Sequence, residues 1–137
     1  MQEHEFLRSL STYTNLSGCP IATTFKILGK RWTIEIVREL FLGQTRFNEL
    51  LKNVPGINSR MLSLRLEELE EYGLIGRTVS TARPLRIKYA LTKLGTDVIP
   101  VMYAAAEFSM KNFPEEVFQD GKSRTPLQIA REIRESQ

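Results

Sequence analysis

Apolar residues recur along this chain mostly at intervals of three and four, and once, past its midpoint, at intervals of two. Phe6, Leu7, Leu10 and Tyr13 carry helical spacing through a polar stretch that Ser17-Gly18-Cys19-Pro20 interrupts. Residues 1–18 are therefore expected to form a short helix or an arm. Pro20 suits the first position of the next helix, where its missing N–H has no intrahelical partner. That helix is expected to reach Leu28 and stop at Gly29. Ile36, Val37, Leu40 and Phe41 stripe a further helix from about Arg31 to Leu42, with Gly43 as its stop. Thr45 is placed to cap another, whose Phe47, Leu50, Leu51 and Val54 mark one buried face before Pro55-Gly56 ends it. Asn58 then caps a helix to about Tyr72, with Leu62, Leu66 and Leu69 on its core stripe. Two one-faced helices joined by a short turn containing Gly make the pattern of a helix-turn-helix.

After Gly73 the period changes. Leu85, Ile87, Tyr89 and Leu91 alternate with Arg86, Lys88 and Ala90, as in a half-buried strand. An earlier strand over Ile75–Ser80 is less clean, because Arg77 shares a face with Ile75 and Val79. Thr81-Ala82-Arg83-Pro84 reads as the tip between them, since Pro84 cannot donate to a ladder. Thr92 caps a helix expected to run to about Asn112, with a kink or break at Pro100. In the tail, Thr125-Pro126-Leu127-Gln128 is a capping-box arrangement that predicts a last helix over Leu127–Glu135. The expected fold is mainly α with a small β-hairpin: a winged helix-turn-helix over 19–97, an N-terminal helix or arm over 1–18, and a C-terminal helix and tail over 98–137.

Composition narrows the function. The 137 residues are 42% hydrophobic and 26% charged, the size and balance of one globular domain. No apolar run approaches the roughly 18 residues that cross a bilayer, and MQEHEFLRSL lacks the basic and apolar regions of a secretory leader. A cytoplasmic, nucleoid-associated protein with no membrane partner is expected. Cys19 and His4 are the single Cys and the single His. They leave no intramolecular disulfide, and no metal or cofactor is expected. No carboxylate pair, phosphate-binding Gly loop or nucleophile with a base stands at a recognisable spacing, so an enzyme is not expected.

The formal charge of +3 is unevenly spread. Lys26 to Lys88 holds twelve Lys/Arg against seven Glu, a net of +5, and Arg77 to Lys93 holds five basic residues and no acid. Such a stretch suits a polyanion. A helix-turn-helix followed by a basic hairpin places its second helix in the major groove of double-stranded DNA, where all four base pairs are distinguishable. Ser59, Arg60, Ser63, Leu64 and Arg65 lie in the leading half of that helix. Arg60 and Arg65 reach guanine edges or phosphates, the two serines bond either, and Leu64 packs on a thymine methyl or is an ordinary exposed Leu. Glu67, Glu68, Glu70 and Glu71 repel phosphate, so only the leading half approaches DNA. Arg83 at the tip and Arg86 and Lys88 on the polar strand face are expected to hold phosphates. Two rivals remain: a winged helix used only for protein assembly, and an architectural protein that binds DNA without sequence preference. The basic wing speaks against the first and the Glu cluster against the second.

The runs Cys19-Pro20-Ile21, Leu28-Gly29-Lys30-Arg31-Trp32-Thr33, Arg46-Phe47-Asn48-Glu49-Leu50, Pro55-Gly56-Ile57, Arg65-Leu66-Glu67-Glu68-Leu69, Gly73-Leu74-Ile75 and Tyr89-Ala90-Leu91-Thr92-Lys93-Leu94-Gly95 resemble the HxlR-type family of bacterial and archaeal transcription regulators. The resemblance implies a homodimeric winged helix-turn-helix on promoter DNA, with dimer contacts from its N- and C-terminal helices. Arg46 and Asn58 complete the expected DNA-contact set. Leu64 departs from the family, which more often has a polar residue there. Independently, the segment from Val98 to Met110 is apolar over more than one face, so a second copy is expected to cover it. Phe6, Leu10, Val101, Tyr103, Ala104 and Phe108 are the expected contacts. Two reading helices then lie about one DNA turn, roughly 34 Å, apart on a pseudo-palindromic operator. Some relatives answer oxidants or electrophiles through a cysteine near the N-terminus, and Cys19 matches that position. Free amides at a helix start favour a thiolate; the alternative is a small buried hydrophobe. A small-molecule signal is a further option, with Trp32, Phe41, Tyr103 and Phe108 lining a cavity or serving as plain core.

Overall fold

A computed structural model describes residues 1–137. In chain order the elements are α1 (Glu3–Ser9), α2 (Pro20–Leu28), α3 (Thr33–Phe41), β1 (Thr45–Arg46), α4 (Phe47–Asn53), α5 (Ser59–Glu71), β2 (Ile75–Val79), β3 (Ile87–Leu91), α6 (Lys93–Thr96), α7 (Ile99–Asn112), α8 (Pro114–Val117) and α9 (Pro126–Glu135). This is a winged helix-turn-helix. The apolar stripes predicted for α3, α4 and α5 converge on one core of Ile36, Val37, Leu40, Leu50, Val54, Leu62, Leu66 and Leu69, joined by Leu74, Ile75 and Val98. Each such side chain contributes about 1.5–3 kcal/mol of burial. Phe41, expected on the α3 stripe, lies at its exposed edge instead.

Local capping fixes the helix starts as expected at three places. The Asn58 side chain accepts from the Met61 amide at 2.8 Å. Thr92 accepts from the Gly95 amide at 3.1 Å and donates to the Gly73 carbonyl at 2.6 Å, tying the end of the hairpin to the end of α5. Thr125 and Gln128 form the reciprocal capping box of α9.

Thr45 does not cap α4. It belongs to β1, which pairs antiparallel with β3, so the hairpin becomes a three-stranded sheet of order β1-β3-β2. Arg46 takes the N-cap position. Within the hairpin, Ile75 faces Leu91 and Val79 faces Ile87. Leu85 falls in the tip rather than the strand, and Val79 and Ile87 are exposed, because the inward strand face outruns the core beneath it. Arg77 on that face is explained by α5: its Nε lies 3.0 Å from Glu70.

The single helix expected from Thr92 to Asn112 is broken into α6 and α7. Pro100 sits in the first turn of α7, where it removes no intrahelical bond. In α6, Gly95 is buried so close to the Leu74 carbonyl that any Cβ would collide with it. Beyond α7 the tail folds back. Phe113 meets Phe108 edge-on at 5.8 Å, and Ser123 donates to the Met110 carbonyl at 2.9 Å. Arg124 donates to Asp120 at 2.7 Å and to Glu132 at 2.9 Å, 5.0 Å from the Phe118 ring centroid. The Arg124 guanidinium holds the Asp120 carboxyl well below the usual carboxylate range. No helix is long and apolar enough to cross a membrane.

Candidate nucleic-acid interface

The exposed side of α5 follows from its buried side. With Leu62, Leu66 and Leu69 turned into the core, Ser59, Arg60, Ser63 and Leu64 point outward at its leading end. Leu64 is 44% exposed. Asn58 stands at the same end, with its side-chain oxygen committed to the cap.

Arg65 is not part of this outward face. It was expected beside Arg60, but its side chain is only 13% exposed. Its Nε donates to the Arg31 carbonyl at 2.9 Å and its Nη1 to Glu68 at 3.0 Å. Lys30 Nζ adds a second cation 3.2 Å from Glu68. Arg65 is thus tied through Nε to a loop 34 positions earlier and through Nη1 to its own helix. A helical wheel of α5 alone contains no trace of that loop.

The same loop grips the turn of the helix-turn-helix. Trp32 adopts a left-handed backbone, φ 77°, which costs a bulky residue about 1–3 kcal/mol. Its ring packs over Gly56 so tightly that a Cβ there would lie 3.0 Å from it, and Gly56 itself has φ +91°. The Arg31 guanidinium lies 4.5 Å from the centroid of the Trp32 ring. Nothing in the sequence tied Lys30, Arg31 and Trp32 to α5 or to the turn before it. In the fold they set the position of the outward-facing helix.

The sheet gathers its cations on the face opposite the one where Arg77 meets Glu70 of α5. Arg46 on β1 stands directly across from Lys88 on β3, and Thr78 on β2 flanks Lys88 from the other side. Arg86 lies two residues before Lys88. With Gln44, Glu49 and Ser80 these residues line a hollow of about 540 Å³ that has no apolar lining residue. Arg83 is exposed at the tip, outside it. None of Arg46, Arg60, Arg83, Arg86 and Lys88 forms an ion pair within the chain. The opposite side of the sheet is acidic: Glu67, Glu70 and Glu71 line a cleft with Arg77 and Tyr89. Burial, and then the Glu70 charge, raise the Tyr89 hydroxyl above its ordinary pKa.

Among the expected dimer residues, Phe6, Tyr103, Ala104 and Phe108 are exposed and Leu10 is half-buried. Val101 instead packs against the core. Cys19 is exposed and stands at the N-cap of α2, directly before Pro20, which removes the reading of a buried hydrophobe. Of the four aromatics expected to line a cavity, Phe41 and Tyr103 meet in a groove between α3 and α7. Trp32 is taken by Gly56 and Phe108 by Phe113, so neither lines it.

Residues 27–117 match the family model described as HxlR-like helix-turn-helix. An HTH-type transcriptional regulator of Synechocystis sp. is 42% identical over 86 residues, 63% of this chain and 64% of that protein, so the match spans just under two thirds of the relative. The HTH-type transcriptional regulator YdeP of Bacillus subtilis is 38% identical over 97 residues, 71% of this chain and 76% of YdeP. The reduced form of the transcriptional regulator YodB from B. subtilis superposes with a TM-score of 0.65 at 33% identity, covering 70% of this chain and 95% of that one. YodB has also been solved after diamide treatment and with quinone bound.

Proposed function

The chain belongs to the HxlR-like helix-turn-helix family, and on that premise we propose that it is a sequence-specific transcriptional regulator that binds operator DNA as a homodimer. The leading end of α5 enters the major groove, where Arg60, Ser59 and Ser63 contact base edges and Leu64 meets a thymine methyl. Arg46, Arg86 and Lys88 hold the neighbouring phosphates, and Arg83 extends that line at the tip. Arg65 takes no part in reading; it orients α5. The observation that carries this reading is that the leading end of α5 is polar and exposed while Arg46, Arg86 and Lys88 gather on one face of the sheet with no ion-pair partner in the chain. Burying or spacing such charges apart would suit an assembly module; leaving them free suits phosphate.

Two copies join through α1 and α7, with Phe6, Leu10, Tyr103, Ala104 and Phe108 at the contact. The dimer presents two α5 ends to a pseudo-palindromic site about one turn apart. Cys19 gives this regulator a means of answering oxidants or electrophiles. Its thiol is exposed, and YodB has been solved in reduced, diamide-treated and quinone-bound states. With one Cys per chain, oxidation yields a disulfide between subunits or with a small thiol.

The test is a gel shift on DNA from the promoters of its own and neighbouring genes, with random competitor and a salt series. A preference of about 10³-fold or more over random sequence supports a specific regulator. Tight binding without preference assigns an architectural role, and silence at low salt an assembly module. Diamide should change the affinity of the wild type and leave that of Cys19→Ser unaltered; equal responses remove the sensing role.

A further inference from the structure

The groove between α3 and α7 is lined mostly by apolar residues. Ile34 and Phe41 line it from α3, and Met102 and Tyr103 from α7, over a volume of about 570 Å³. That lies within the range of small-molecule sites, roughly 300–1,000 Å³. Ala105 and Ala106 keep one wall low, which opens room for a ring system. Phe41 and Tyr103 remain about half exposed although they face each other across it.

Two charged residues reach this groove, Glu35 and Arg38. Arg38 already has a partner, Glu39, at 3.5 Å. Glu35 is half-buried and has no ion pair or hydrogen bond within the chain. The groove therefore offers two aromatic faces and one uncommitted negative charge. We infer that it is a binding site for a small lipophilic cation, an aromatic amine or quaternary ammonium compound, whose rings lie against Phe41 and Tyr103 and whose charge meets Glu35. Aromatic faces and a carboxylate attract a weakly hydrated cation together, and a carboxylate in an apolar setting is stabilised once an opposite charge arrives.

The occupant is a small molecule rather than a second copy of the chain for a reason on the same surface. The centres of protein–protein interfaces are depleted of Glu and of charge in general, and covering Glu35 with a flat apolar face would strand its carboxylate. Of the residues proposed for dimer contact only Tyr103 lines the groove; Phe6, Leu10, Ala104 and Phe108 do not. The site is independent of DNA recognition, and its occupancy is measured without DNA.

The experiment is isothermal titration of the full chain with (2-naphthylmethyl)trimethylammonium and, separately, with 2-naphthylacetate, which carries the same rings and the opposite charge. The cation is expected to bind saturably, one per chain. Glu35→Gln should weaken it by about tenfold or more, and Ala106→Trp, which fills the groove from its low wall, should abolish it. Circular dichroism checks that both variants fold; should Ala106→Trp not fold, Glu35→Gln decides. Absence of cation binding to the wild type, an unchanged affinity in Glu35→Gln, or preferential binding of the acetate overturns the assignment. Silence towards the cation together with dimers that Ala106→Trp dissociates gives the groove to a second copy and overturns it equally.

Discussion

The middle of this chain and its ends are built to different standards. From Leu28 to Val98 the helices and the sheet enclose a continuous core, and Met110 is the one buried residue outside that stretch. In α1, α7, α8 and α9 many large apolar side chains stay on the surface: Phe6, Tyr103, Phe108, Val117, Leu127 and Ile133 are all about half exposed or more. The middle closes a core of its own, although Phe41, Leu42, Val79 and Leu85 stay exposed around it, whereas the ends build almost no core at all. Monomers seldom leave such patches bare. The difference separates a part that must be correct before anything binds from a part whose use lies in what it meets.

Substitutions sharpen or break this contrast. Leu62→Ala should destabilise the fold by about 2–5 kcal/mol, read from chemical denaturation, because Leu62 is fully buried in a close-packed site. An equal loss from Phe108→Ala in a monomeric sample would break the contrast. Replacing both Tyr103 and Phe108 with Glu should leave monomer stability nearly unaltered. It should dissociate dimers in sedimentation and lower operator affinity by about 10²-fold or more, since the two half-sites are then no longer linked. Retained dimers would move the interface elsewhere. Within the middle, Arg60→Ala should cost about 1–3 kcal/mol of binding and relax preference at one base position. Arg86→Ala should weaken all sequences alike and flatten the salt slope by about one. Exchanged outcomes would reverse the roles of α5 and the sheet.

The smallest effect belongs to the tail. Asp120 has its pKa lowered by Arg124, so its contribution is present at neutral pH and is lost as pH falls below the unfolded carboxylate value of about 4. Protection factors of the α9 amides, taken against the intrinsic exchange rate at each pH, should therefore fall on acidification in the wild type. In Asp120→Asn they should be low already at pH 7 and lose that acid dependence. An unaltered profile would show that α9 is held without the clasp.

What was legible in the sequence was what is decided locally. Asn58, Thr92 and Thr125 act within three residues of themselves, and the leucines of α5 announce their buried side by period alone. Contacts between distant segments were not legible. Arg65 resembles any exposed arginine on a wheel until the Arg31 carbonyl, far back in the chain, takes its guanidinium. Thr45 resembles a cap because its strand partner, Tyr89, lies more than forty positions later. Pro100 announced a break, but that Val101 packs against the core was decided by neighbours distant in the chain. The exposed cations could be named from the sequence; which of them have no ion-pair partner, and that Arg46 joins Lys88, required the sheet.

That pairing has a consequence for the unliganded molecule. Two like charges stand opposite each other where a two-residue edge strand meets its neighbour, an arrangement that opposes the ladder it sits on. The sheet is locally frustrated until an anion bridges the pair. A polyanion of any sequence, heparin included, then acts as a mortar: it should knit β1 to β3 and raise the melting temperature before any base has been read.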